Sequence, residues 1–172
     1  MIKSNVLILI CVIGLIACKS SVSITKTDYN TNNKEAKDKN SSTSTQASKV
    51  ISTARSYKGT SYKYGGCSRT GIDCSGLTYT AFKAINIDLP RNSHDQSLKF
   101  KSISLSELKP GDLVFFTDKK GSSKVTHVGI VTEVKGAKEI HFIHASTKAG
   151  VIEENLFASW YLPLFLKGGR VI

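Results

Sequence analysis

Apolar residues follow three rhythms along this chain of 172 residues. Over residues 6–16 they are nearly continuous, after Lys3 has supplied a positive charge. That run is too short to cross a bilayer comfortably and has the layout of an export signal. From residue 19 to about residue 47 they are scattered among Ser, Thr, Asn, Lys and Asp. Such a stretch buries too little surface to offset its ordering entropy, and it reads as a disordered tether. From Ser48 onward the spacing becomes regular. Ser48 caps a short helix bearing Val50, Ile51, Ala54 and Tyr57 and ending at Gly59. A Gly- and Tyr-rich loop over 59–71 leads to a second helix, with Leu77, Ala81, Ala84 and Ile85 on its apolar face. Leu89-Pro90-Arg91 breaks that pattern, and Ser93 with Gln96 forms a capping box for another short helix. Lys109-Pro110-Gly111-Asp112 turns the chain into a strand at 113–117. Further strands, rich in β-branched and aromatic residues, are expected at 125–134, 139–145 and 151–153, with a terminal helix at 155–161. Helices first and an antiparallel sheet after them make one α+β domain over 48–172.

The export signal ends in Leu15-Ile16-Ala17-Cys18, which resembles a bacterial lipobox. The resemblance implies cleavage of residues 1–17, a diacylglycerol on Cys18 and acylation of the new N-terminus. Several acyl chains on one residue anchor stably where one would not. Residue 19 is Lys and not Asp, which by the same resemblance favours the periplasmic side of an outer membrane in a Gram-negative envelope. Charge narrows partners only a little. The formal net charge is +11, and residues 46–172 carry 18 Lys and Arg against 10 Asp and Glu, a net +8. A polyanionic cell wall or lipid surface fits that balance, and so does a merely well-solvated surface; export excludes nucleic acid. No metal or cofactor is expected, and the domain reads as a monomer.

Cys11 leaves with the signal and Cys18 takes the lipid, so Cys67 and Cys74 are the cysteines of the domain. Cys74 lies in Gly71-Ile72-Asp73-Cys74-Ser75-Gly76-Leu77, where Asp73 reads as a helix N-cap. A thiol in the first helical turn faces unpaired N–H groups and the positive dipole end, which are expected to lower its pKa. Alone, such a Cys reads equally well as a small buried apolar residue. Two downstream runs change the balance: Thr126-His127-Val128-Gly129-Ile130 and Phe142-Ile143-His144-Ala145-Ser146. If residues 134 and 139 close a hairpin, Gly129 lies opposite His144 and Val131 opposite Phe142. His127 and His144 then share a face as diagonal neighbours, while His141 falls opposite Thr132 on the other face. His94 sits in a polar helical stretch and is expected to be exposed. Cys74 as nucleophile, His127 as base and His144 as its orienter supply the three roles of covalent acyl-transfer catalysis. The Cys74 N–H and the Tyr62 phenol are candidate oxyanion donors. Six residues separate Cys67 from Cys74. Either an oxidising envelope joins the two reversibly, or the helix start holds them beyond the Cα separation of roughly 7 Å that a disulfide tolerates.

Tyr62-Lys63-Tyr64-Gly65-Gly66, the Cys74 run, Leu89-Pro90-Arg91-Asn92-Ser93, Leu108-Lys109-Pro110-Gly111-Asp112-Leu113-Val114-Phe115-Phe116 and the two His runs together resemble, in order, the motif ladder of the NlpC family of cell-wall peptidases. The resemblance extends from about residue 48 to the C-terminus. It implies a papain-like fold, a Cys-His-His triad and hydrolysis of peptidoglycan stem peptides, at the D-glutamyl to diamino acid link or at the crosslink between stems. It also carries oxyanion and substrate contact onto Tyr62, and stem-peptide binding onto Asp73, Ser75 and Ser93. The hairpin between the histidines is longer than in many relatives, and Cys67 is not part of the pattern. An amidase of the CHAP type and a non-catalytic wall-binding lipoprotein on the same scaffold are the competing readings.

Overall fold

The computed structural model describes residues 26–172 apart from Ser159, with side chains from residue 41. The export signal, the lipobox and Cys18 lie outside the described residues. Helix α1 spans Lys26–Arg55, so Ser48 does not cap a helix; its Oγ donates to the Ser44 carbonyl from within one. The stretch expected to be a disordered tether is therefore helical from residue 26. Core contact explains the difference. Ala47, Val50, Ile51 and Ala54 are buried, so the helix is nucleated where it docks. Its polar turns then add at propagation cost, through good helix formers such as Lys34, Glu35, Ala36 and Lys37.

A two-stranded ribbon follows, β1 (Cys67–Ser68) with β2 (Gly71–Ile72), and delivers the chain to α2 (Cys74–Lys83). Asp73 is the N-cap expected of it, with extended backbone and a side chain that accepts from Gly76 N. The helix stops two residues short of residue 85, because Ala84 caps it and Asn86 takes a φ of 61°, which no helix continues through. Helix α3 (Ser93–Lys99) is capped by Asn92, one residue earlier than expected. Asn92 Oδ1 accepts from Asp95 N at 2.9 Å, and its Nδ2 donates to Asp95 Oδ2. Gln96 is unavailable for capping. Its amide is buried and joins Thr78, the Ser75 carbonyl and the Pro90 carbonyl, which locks α3 to α2.

Six strands form one antiparallel sheet: β3 (Lys101–Ile103), β4 (Leu113–Phe116), β5 (His127–Gly136), β6 (Glu139–Ser146), β7 (Gly150–Asn155) and β8 (Phe165–Arg170). Their spatial order is β3-β8-β4-β5-β6-β7. The α+β class is as expected, but the terminal helix is not found. Turns follow β7, then a 3₁₀ turn at Leu162–Leu164, then β8, which enters the sheet between β3 and β4. Lys167-Gly168-Gly169 carries almost no strand signal of its own. A Cβ at Gly168 would meet Ile103 Cγ1 and Leu108 Cδ2 at 2.7 Å each, so close packing, not propensity, selects the residue.

The sheet is buried on both faces. Toward α2, Leu77, Ala81 and Phe82 pack with Phe115, Val128, Ile130, Ile143 and Ala145. On the other face Val114, Phe116, Val131, Ile140 and Phe142 pack under Leu156 and the C-terminal turns. Strands β5 and β6 pair Ile130 with Ile143 and Val131 with Phe142, the register read from the hairpin. Beyond that point β5 bulges, so His141 pairs with Glu133 and not with Thr132.

Candidate active site

The position of Cys74 is set by the residue before it. Asp73 is buried, and both carboxylate oxygens are fully engaged. Oδ1 accepts from Gly76 N at 2.6 Å, Ser75 Oγ at 3.1 Å and Arg91 Nη1 at 2.9 Å. Oδ2 accepts from Gly65 N at 2.7 Å and Arg91 Nη2 at 3.1 Å. Arg91 Nη2 also donates to the Gly66 carbonyl. This clamp joins the loop before β1, the start of α2 and the segment before α3, so the first turn of α2 is held from three sides. Burial alone would raise the Asp73 carboxyl, but Arg91 and the N–H groups of Gly76 and Gly65 hold it below its usual range.

The histidines come from the sheet. His127 Nε2 and His144 Nδ1 lie 2.9 Å apart, with the rings nearly perpendicular. A Cβ on Gly129 would meet Phe142 Cδ2 at 2.7 Å and His144 Cβ at 3.3 Å, so the missing side chain is what lets the two strands bring these rings together. Phe142 stacks on His144 at 4.9 Å, and Phe116 borders His127 at 6.0 Å. Cys74, His127, His144 and Tyr62 line one cavity of about 550 Å³, with Glu154, Trp160 and Tyr161 on its far side. A second cavity, of about 710 Å³ between α1 and the far end of the sheet, is lined by no Cys or His and offers no nucleophile–base pair.

Burial sets the charge state of the pair. It pushes the Cys74 thiol up, outweighing the N–H groups of Val128, Ser75 and Cys74 itself, which pull it down. The expected low thiol pKa is thus reversed by tertiary packing. Burial, with His144 beside it, pushes His127 down to about 3. Burial also lowers His144, with Glu154 acting against it. These directions favour a neutral thiol beside a neutral imidazole. His127 Nε2 is occupied by His144, which leaves Nδ1 for the thiol proton. Tyr62, bridged to Ile72, has its phenol raised by burial and by its neighbours Cys74 and Asp73, so it remains a donor.

Asp73, Ser75 and Ser93 are placed differently from the cavity group. Asp73 and Ser75 are buried behind the nucleophile in the Arg91 clamp, and Ser93 opens α3; none of the three lines the cavity. His94 is exposed, and His141 is half-buried near Glu139. Cys67 is exposed on β1 and Cys74 is buried, both as free thiols, so no disulfide joins them. Sequence reasoning missed two neighbours of His144. Its Nε2 lies 2.9 Å from Glu154 Oε2 and 3.2 Å from the Tyr161 hydroxyl. The β-strand alternation that groups Phe142 with His144 would have pointed to Glu154 had the pairing of β6 with β7 been known. Among the described residues there is no cluster of metal ligands, and no helix is long and apolar enough to cross a membrane.

The family model described as NlpC/P60 matches residues 59–170. Over 95 residues the chain is 39% identical to the gamma-D-glutamyl-L-lysine dipeptidyl-peptidase of Bacillus subtilis, an alignment covering 55% of this chain and 31% of that one. It is 34% identical over 126 residues to the murein DD-endopeptidase MepS/murein LD-carboxypeptidase of Escherichia coli, covering 73% and 63% respectively. The chain therefore spans about a third of the first relative and just under two thirds of the second. The crystal structure of a Bacillus cereus NlpC/P60 family protein superposes with a TM-score of 0.66 at 30% identity, covering 72% of this chain and 39% of that one. The α+β arrangement of the described residues matches that papain-like neighbour.

Proposed function

Because the chain belongs to the NlpC/P60 family, we propose that it is a cysteine endopeptidase that hydrolyses amide bonds in peptidoglycan stem peptides. The observation that carries this reading is the shared cavity: a thiol at the start of α2 beside an imidazole pair 2.9 Å apart. In the proposed reaction His127 Nδ1 takes the Cys74 proton as sulfur attacks the scissile carbonyl carbon. The oxyanion receives hydrogen bonds from the Cys74 N–H and the Tyr62 hydroxyl. Collapse of this intermediate breaks the C–N bond, and His127 returns the proton to the leaving amine. Water, deprotonated by the same nitrogen, then cleaves the thioester and restores the thiol. His144 accepts the His127 Nε2–H throughout and holds the ring in place. The named activities of the two relatives cover both candidate bonds, the D-glutamyl link to a diamino acid and the crosslink between stems.

The same proposal includes attachment to a membrane through lipid on Cys18, which rests on the lipobox resemblance. The decisive assay incubates purified wall sacculi with the parent chain and with Cys74→Ala, His127→Ala and His144→Ala, and identifies released fragments by mass spectrometry. Cys74→Ala and His127→Ala should abolish release in proteins that remain folded, while His144→Ala leaves a measurable residue of activity. Undiminished release by Cys74→Ala would end the covalent reading, and fragment masses assign the bond.

A further inference from the structure

His144 closes the imidazole pair on one side, and its outer nitrogen faces a carboxylate. Strand β7 pairs with β6 so that Glu154 lies opposite Phe142 and Ile152 opposite His144. Residues two apart on a strand share a face. Glu154 therefore stands diagonally across from His144, on the side where Phe142 stacks against its ring. The contact is Glu154 Oε2 to His144 Nε2, at 2.9 Å.

We propose that Glu154 is a positioning residue that fixes the tautomers of both histidines and thereby points the lone pair of His127 at Cys74. The inference rests on the peptidase reading and follows from donor counting along the row of contacts. An ionised carboxylate has no proton to donate, so the hydrogen in the 2.9 Å contact sits on His144 Nε2. A neutral imidazole carries one N–H, and His144, kept neutral by burial, therefore presents a lone pair at Nδ1. That lone pair faces His127 Nε2 at 2.9 Å, so His127 Nε2 must donate. His127 Nδ1 is then the unprotonated nitrogen, and it is the nitrogen left for the thiol. Without the carboxylate, His144 can place its hydrogen on either nitrogen. The Nδ1–H form would force His127 to accept at Nε2, carry its own hydrogen at Nδ1, and lose the base.

Tyr161 reinforces the arrangement. Its hydroxyl lies 3.2 Å from His144 Nε2, and burial together with Glu154 keeps the phenol protonated. With Nε2–H already a donor, the phenol hydrogen is free for the Glu154 carboxylate. Phe116 and Phe142 meet Tyr161 edge-on, at 5.6 and 5.0 Å, and hold its ring edge-on to His144 at 5.1 Å. During catalysis Glu154 acts through His144 and does not accept the thiol proton. Its charge sits behind His144, where it favours the imidazolium that forms transiently on His127.

The test uses the full chain labelled with ¹⁵N-histidine. Long-range ¹H–¹⁵N correlation at neutral pH reads which nitrogen of His127 and His144 carries hydrogen. The parent should show both at Nε2. Glu154→Gln, whose amide oxygen can still accept but which lacks the charge, should keep that pattern and lose less turnover than Glu154→Leu. Glu154→Leu should give mixed tautomers, with kcat on stem peptide falling about 10- to 100-fold at nearly constant KM, a partial loss of a general-base contribution of about 10²–10⁴. A parent with His144 protonated at Nδ1, or a folded Glu154→Leu with unchanged tautomers and kcat, overturns the proposal. The parent spectrum decides even where Glu154→Leu does not fold. Because that readout needs no substrate, a parent with the expected tautomers but no action on wall peptides would overturn the peptidase reading alone.

Discussion

Removing the Asp73 side chain should cost stability as well as activity, because its two oxygens hold the helix that presents the nucleophile. Asp73→Ala deletes an N-cap, worth about 1 kcal/mol. It also takes the partner from the Arg91 guanidinium and from Gly65 N, contacts of 2.9 and 2.7 Å. Breaking a buried charged pair costs about 3–5 kcal/mol. The Arg91 side chain is 39% exposed, so water recovers part of that loss. A total of about 3 kcal/mol is expected, a large share of the 5–15 kcal/mol that is typical of domains. Asp73→Asn keeps the acceptor for Gly76 N but loses the charge, and should cost about half as much. Urea unfolding at neutral pH measures both as shifts in midpoint at constant slope. The pH sign follows from the depressed carboxyl. Its contribution is complete above the ordinary Asp value of 3.8 and is lost as pH falls through the lower folded value, so parent and Asp73→Ala should converge in acid. A midpoint for Asp73→Ala within about 0.5 kcal/mol of the parent, a shift typical of surface substitutions, with binding of stem peptide lost, would refute the clamp. Asp73 would then be a substrate ligand, the role the family resemblance assigns to it.

Three further outcomes are expected. Since burial raises the Cys74 thiol and lowers His127, alkylation by iodoacetamide should accelerate with pH and still be rising beyond the ordinary thiol value of 9.0; a rate that is flat from acid to neutral pH would reveal a thiolate–imidazolium pair instead. Gly129→Ala places a Cβ against Phe142 and His144, so thermal unfolding should report a loss of about 1–3 kcal/mol, with hydrolysis falling alongside; a neutral substitution would mean the strands can separate freely. Cys18→Ser should move the protein from the membrane to the soluble envelope fraction, and retention of that variant with no lipid on the parent would exclude the anchor.

Residues close in sequence carried much of what is now visible. The spacing of Leu77 and Ala81, with Asp73 before them, specifies where α2 begins, because cap and apolar face are satisfied within one helix. The short turn between β5 and β6, with Val131 and Phe142 packed on one face and Ile130 and Ile143 on the other, specifies the register up to the bulge, because a slip of one residue would exchange the side chains of two differently packed faces. That register brings His127 and His144 together. Other features depend on partners far along the chain. Gly168 and Gly169 become strand because Ile103, Leu108 and Phe115 leave no room for a Cβ, and nothing local signals it. Asn92 displaces Ser93 as the cap because Gln96 is drawn into the interface with α2. The sign of the Cys74 shift reverses because desolvation, which depends on everything packed around the sulfur, outweighs the helix start. Glu154 reaches His144 only once β7 has paired with β6. Helix caps and strand alternation are short-range and readable in order; burial and the partners of buried polar groups arise when distant segments meet.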